Sequence, residues 1–207
     1  MISAQSVAAD LLAKVVLVGP PGAGKASILK AMAEYYAHSS VRAGEVGEGK
    51  VFRTEFFWPH ALADGGRLRV RLFALSGEPV YHAVGQLLMA KADGLIFVAN
   101  LARAEGDAVR GALHAMVLNA QRNSLDLSSL PAALHYHRAG AGVLRTPVFS
   151  PEEMDQWLGI PPGAVPRFVT EPENSGTLRA SVEWIVNRIA NQVRSEVQPR
   201  FRERAIG

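Results

Sequence analysis

The chain has 207 residues, of which 48% are hydrophobic and 20% charged, and its net charge is +3. That composition fits one soluble globular domain, residues 1–207, able to bury a full core, and the mild charge gives no argument for nucleic acid. No cysteine is present, which excludes disulfides, thiolate metal sites, a cysteine nucleophile, prenylation and palmitoylation, and with Met1-Ile2 at its start no N-myristoylation is expected. No apolar run reaches membrane-spanning length and no signal-peptide core opens the chain, so a cytoplasmic location is expected.

Residues 1–13 read as a short lead-in, partly helical. Val15-Val16-Leu17-Val18 is an apolar run rich in β-branched residues, the pattern of a buried strand. It runs into Gly19-Pro20-Pro21-Gly22-Ala23-Gly24-Lys25-Ala26-Ser27, after which Ile28-Leu29-Lys30-Ala31-Met32-Ala33-Glu34 reads as a helix. Gly19, Gly24 and Lys25 stand in P-loop spacing. Glycines there let backbone N–H groups point at an anion, and the helix N-terminus adds partial positive charge. Lys25 would reach the β- and γ-phosphates. The pattern places Ser or Thr at position 26 to hold magnesium. Ala26 has no oxygen, and Ser27 lies about 100° further around the helix.

The first helix is expected over residues 24–37. A glycine-rich polar segment, residues 39–50, reads as a loop. A strand follows over 51–58, stopped by Pro59, and Asp64-Gly65-Gly66 is a hairpin turn signal. The next strand covers 67–74. There Arg67, Arg69 and Arg71 alternate with Leu68, Val70 and Leu72, which gives one cationic face. That face and the basic tail at 198–207, with Arg194 just before it, are either solvated or a docking surface for an acidic partner or acidic lipid. Ser76-Gly77-Glu78-Pro79 opens a second loop before a helix over 81–91.

Residues 94–100 form another near-continuous apolar strand. In the next helix Val109, Leu113, Met116, Val117 and Ala120 share a face. A short strand is expected over 130–137. A helix over 151–158 begins with Ser150 as N-cap and Glu153 in the capping-box position. The last strand is 167–170, and the last helix runs over 176–197 until Pro199 ends it. Strands and helices alternate after one hairpin. The fold class is therefore α/β, with three layers and a mostly parallel six-stranded sheet carrying one antiparallel edge strand. Ligands in such sheets sit at the carboxyl ends of the strands, where the glycine-containing loops fall. His135 and His137 share a strand face and with His114 would make a metal trio, or are ordinary polar residues at a strand end. Trp58, Trp157 and Trp184 read as packing residues.

Three stretches resemble the Ras-like small GTPases, in their bacterial gliding-motility (MglA-like) branch. They are Gly19-Pro20-Pro21-Gly22-Ala23-Gly24-Lys25, then Arg53-Thr54-Glu55-Phe56-Phe57, then Leu72 to Tyr81 with Ala92-Asp93-Gly94-Leu95-Ile96-Phe97-Val98-Ala99. The resemblance implies a P-loop NTPase fold and a switch in which GTP orders two loops and hydrolysis releases them. It implies nucleotide contacts from Gly19, Gly22, Ala23, Gly24, Lys25, Ala26, Ser27, Thr54, Gly77, His137 and Arg138. Thr54, with Ser27, would stand by magnesium, Arg53 would be an arginine finger in cis, and Glu78 occupies the place of the catalytic Gln. The implied partners are a roadblock-type GTPase-activating protein and polarity or motility effectors.

The chain departs from that pattern at several places. Glu78 adds a negative charge where the family has Gln, although Gly77 is kept. Ala74 replaces a polar residue that would bond a magnesium water. His137-Arg138-Ala139-Gly140 stands for Asn-Lys-x-Asp, and Gly140 offers guanine no carboxylate. Thr170-Glu171-Pro172 stands where a last base-binding motif belongs. Three functions fit these residues. One is a pseudo-GTPase acting through protein contacts, with a surviving phosphate cradle. The second is an active switch that binds GTP or GDP with magnesium and hydrolyses slowly with a partner. The third is a small P-loop phosphotransferase, for which no arginine-rich lid is evident.

Overall fold

The computed structural model describes residues 10–36, 40–46, 49–62, 65–76, 82–138, 147–170 and 176–204. In chain order the first elements are β1 (Leu11–Val18), α1 (Lys25–Tyr35), β2 (Arg42–Val46), β3 (Gly49–Phe57), β4 (Leu68–Ser76) and α2 (His82–Met89). There follow β5 (Gly94–Asn100), a 3-10 turn (Arg103–Glu105), α3 (Gly106–Arg122), β6 (Ala132–His137), α4 (Pro151–Leu158), β7 (Arg167–Thr170) and α5 (Thr177–Arg204).

β1 is central. It is parallel to β4 on one side and to β5 on the other, and the full order is β2-β3-β4-β1-β5-β6-β7. β5, β6 and β7 continue the parallel set. β3 runs against both β4 and β2. A strand covered on both faces reads as a continuous apolar run, and this is why residues 15–18 of β1 and the whole of β5 are plain in the sequence. Alternate residues of β1 serve different cores. Ala13, Val15 and Leu17 pack on α1 and α5, with Ile28, Leu29, Met32, Val182, Ile185 and Val186. Val16 packs on the other face, with Leu88 and Met89 of α2, Met116 of α3 and Met154 of α4. The result is a helix–sheet–helix sandwich.

Three expectations are corrected. The sheet has seven strands among the described residues, because 42–46 are paired as β2 and are not a loop. Glycines weaken a strand's local signal, but pairing on β3 satisfies the backbone, and Glu45 lies directly across from Lys50. The reversed strand is consequently β3, one place in from the edge. Leu11 to Ala13 belong to β1 and are not a helical lead-in, since β4 extends far enough to pair them. Residues 1–9 lie outside the described part. Finally, α5 continues past Pro199 to Arg204. A proline forfeits one i→i−4 bond, and the bonds on either side carry the helix through.

β3 and β4 pair antiparallel as a hairpin, and of the turn signal Asp64 lies outside the described residues. Gly65 has φ +79° and the Trp58 amide donates to the Leu68 carbonyl at 2.8 Å. The cationic face of β4 is laced with carboxylates. Arg71 Nε donates to Glu55 at 2.7 Å, Arg69 reaches the same carboxylate at 3.5 Å, and Arg67 pairs with Asp10. The Arg71 hydrogen bond holds the Glu55 carboxyl below its ordinary range. Of the tryptophans, Trp58 is in the core, Trp184 packs at its margin beside Phe168, and Trp157 is 43% exposed.

The end of β6 is clamped from the α4 side. Tyr136 Oη donates to Asp155 at 2.6 Å, Arg167 donates to the other Asp155 oxygen at 2.6 Å, and Arg167 also holds Glu152. α4 begins with the full capping box: Ser150 Oγ accepts from the Glu153 amide at 3.1 Å, and Glu153 accepts from the Ser150 amide at 2.7 Å. Ser150→Ala should therefore lower stability by about 1 kcal/mol, read as a lower urea midpoint with an unchanged slope.

Candidate functional site

At the carboxyl end of β1 the chain must turn from the sheet to α1 in six residues. Gly19 does this at φ +149°, pressed so closely on β5 that a Cβ would overlap the Val98 carbonyl. Gly22 has φ +74° and is open to solvent. Ala23 is buried in the α1-side core. Gly24, at φ +96°, is the N-cap of α1. All three glycines occupy a region that side chains rarely enter. The Ser27 and Ile28 amides turn back to the Gly24 carbonyl at 3.0 and 3.2 Å. The amides of Gly24, Lys25 and Ala26 have no acceptor among the described residues. A helix start with free amides is an anion site in both geometry and charge.

Lys25 lies inside this turn, 7% exposed. Its Nζ donates to the carbonyls of Gly19 at 2.7 Å and Pro20 at 2.6 Å, which leaves one of three donors. Burial alone pulls its pKa down to about 8. Two neutral carbonyls do not replace the water an ammonium loses, whereas an anion in the loop would.

The far wall of the turn is the end of β6. His137 lies against Gly24, where a Cβ would overlap its ring. Its Nε2 is buried and has no partner. The ring stacks on His135 with centroids 4.9 Å apart. His135 is fully buried. Its Nδ1 is hydrogen-bonded with Ser181 Oγ on α5 and its Nε2 with Thr170 Oγ1 on β7, both at 2.6 Å. Burial pushes the pKa of His135 down to about 3 and that of His137 down to about 4, so both rings are neutral at pH 7.

The structure thus brings together Gly19, Gly22, Ala23, Gly24, Lys25 and His137, with Ala26 and Ser27 exposed on the first turn of α1. It places Thr54 elsewhere. Thr54 is 1% exposed on the α1 side of β3, across from Leu72, which is in register with Val15. The loop starts only four residues beyond that level, and Thr54 Oγ1 has no partner. Arg53 points to the opposite face, across from Phe73 and Arg42, and is exposed. Arg138 is exposed, its amide donating to Thr170 at 3.2 Å. Gly77, Glu78, Ala139, Gly140, Glu171 and Pro172 lie outside the described residues.

The turn has what a phosphate chain needs: glycines that leave room, first-turn amides without an acceptor and the Lys25 cation. For magnesium the described residues of the turn offer one side-chain oxygen, the exposed Ser27 hydroxyl. Position 26 is alanine, Thr54 Oγ1 is under α1, and Ala74 offers no oxygen. His114 is exposed on α3, across the sheet from His135, so those histidines form no trio. The His135–Ser181–Thr170 network has no signal in the sequence. Strand alternation put the two histidines on one face, but nothing local announced that hydroxyls from α5 and β7 would meet them.

Two outcomes test the cradle. Gly19→Ala forces a side chain into the Val98 carbonyl and should cost on the order of 2 kcal/mol or more of stability, measured by chemical denaturation. An anion raises the Lys25 pKa from about 8, so the complex holds more protons than the free protein. Affinity for sulfate, whose own charge is constant here, should fall as pH rises above about 8, by up to about tenfold per unit. A flat profile by calorimetry would place the anion away from Lys25.

No protein-family model matches the chain, and no curated protein matches it either.

Proposed function

We propose that this chain is a nucleotide-binding P-loop protein of the Ras-like small-GTPase type, resembling the gliding-motility (MglA-like) branch. In this reading it keeps the phosphate cradle, has impaired or lost hydrolysis and guanine selection, and acts as a pseudo-GTPase through protein contacts. The observation that carries the reading is the turn itself. Three glycines at positive φ, free first-turn amides and a buried lysine stand together at the carboxyl end of the central strand. The order β3-β4-β1-β5-β6-β7, with β3 alone reversed in that set, supports it. The departures from the family are the argument for impaired turnover. Ala26, Ala74 and a buried Thr54 take away oxygens that the family gives magnesium, which leaves the Ser27 hydroxyl, and His137 stands where guanine-binding proteins carry Asn. Losing a bidentate acceptor for a buried donor pair removes a few kcal/mol of preference for guanine.

GTP or GDP is the ligand class we assign, held chiefly by its phosphates. A roadblock-type regulator and polarity or motility effectors are the partners the resemblance implies. A second reading, a slow switch activated by a partner, is favoured by Arg53. Its guanidinium is exposed and holds no hydrogen bond or ion pair among the described residues.

Titration of GTP, GDP and ATP into nucleotide-stripped protein, with and without magnesium, decides between them. The expected result is weak binding with similar affinity for guanine and adenine nucleotides, little effect of magnesium and no turnover. Lys25→Ala should weaken binding by about tenfold or more. Tight, guanine-selective, magnesium-dependent binding would establish the switch instead. An unchanged affinity in Lys25→Ala would remove the cradle from the account.

A further inference from the structure

We propose that His137 couples the cradle to pH: filling the loop with a polyphosphate anion draws a proton onto the buried Nε2 of His137. The inference rests on the reading of the loop as an anion cradle and adds a regulation of that site.

The geometry carries it. The His137 ring lies on Gly24, the residue that starts α1, so its Nε2 is fixed beneath the turn that would hold the anion. That nitrogen is fully buried and has no partner. The ring is held in place from behind, because it stacks on His135 and both His135 nitrogens are committed to Ser181 and Thr170. A buried polar atom next to a helix N-terminus is costly when unpaired, and it gains most from a nearby negative charge.

Few charged groups surround the ring among the described residues. α1 brings Lys25, whose ammonium is turned to the Gly19 and Pro20 carbonyls. β6 itself brings His135 before and Arg138 after. β7 and α5 present the hydroxyls of Thr170 and Ser181, both engaged by His135. β5 runs alongside with Asn100 in register, its Oδ1 accepting from the Ala102 amide. No described carboxylate acts on His137; burial alone holds its pKa at about 4. The negative charge that would raise it must come with the ligand.

The sign follows. The free protein has a neutral ring at pH 6, and the complex has a raised pKa, so binding takes up a proton. Affinity then rises as pH falls from about 7 to about 5. His135, held down to about 3, stays neutral in that window. Lys25, at about 8, is already charged there and contributes nothing to it.

The test is calorimetry of inorganic pyrophosphate binding at about pH 5.5, in two buffers of different ionisation enthalpy, for the natural chain and for His137→Asn. The protonation of pyrophosphate itself is common to both and cancels in the difference. The natural chain should take up about half to one proton more than the variant, and should gain about tenfold more affinity between pH 7 and pH 5. Equal uptake by both proteins would overturn the proposal. The same question is put to the natural chain alone by its His137 ring proton resonance. With pyrophosphate present its titration midpoint should move up by about two pH units, and an unmoved midpoint would overturn the proposal even if the variant does not fold. Pyrophosphate binding without linked uptake removes the role of His137 and leaves the cradle. No pyrophosphate binding at any pH removes both.

Discussion

Where β1 ends, the chain passes so near β5 that the Val98 carbonyl takes the place a side chain would fill. The arrangement of the site depends on that close approach. It demands glycine at position 19, and with a positive φ there the chain leaves the sheet toward the α1 layer. Gly24 then opens the helix against the end of β6, again with no room for a Cβ. Fixed at both ends, the six-residue turn keeps the unpaired first-turn amides and the buried Lys25 together. The two parallel pairings of β1 make this possible, since they hold β4 and β5 in register up to the last residues of the strand.

Several polar groups of the frame are paired: Tyr136 with Asp155, His135 with Ser181 and Thr170, Asn123 with the Gln86 and Asn119 carbonyls. Thr54 Oγ1 and His137 Nε2 are not satisfied, and one sits under α1 while the other sits under its N-cap. An orphaned buried group costs about 1–3 kcal/mol. Trp58 Nε1, Arg69 Nε, Asn119 Oδ1 and Arg179 Nη1 also lack a hydrogen bond, so an unpaired atom does not by itself mark the site.

Much of the fold was legible because its signals are local. β5 and β7 were read residue for residue, as was α4 from its Ser150–Glu153 box and its proline start. The Gly19-to-Lys25 turn was legible because only a few backbone shapes need that glycine spacing. What escaped reading is set by distant partners. β2 has no strand-like composition and exists because β3 offers it an edge. The family resemblance gives Thr54 and Arg53, adjacent in sequence, to one ligand, yet neighbouring residues of a strand face opposite sides of a sheet. The contact of His137 with Gly24 joins residues more than a hundred positions apart and has no local trace.

Both rims of the sheet are short. β2 has five residues, carries Arg42 and Glu45 and is exposed along Arg42 to Glu45, while β7 at the other rim has four. An incoming strand finds few free amides there, and at β2 it meets charge of both signs with a glycine between. Short, charged borders of this kind discourage edge-to-edge growth into larger sheets. The same added strand that broadens the sheet beyond six therefore also guards it, because without β2 the nine-residue β3 would itself be the open border.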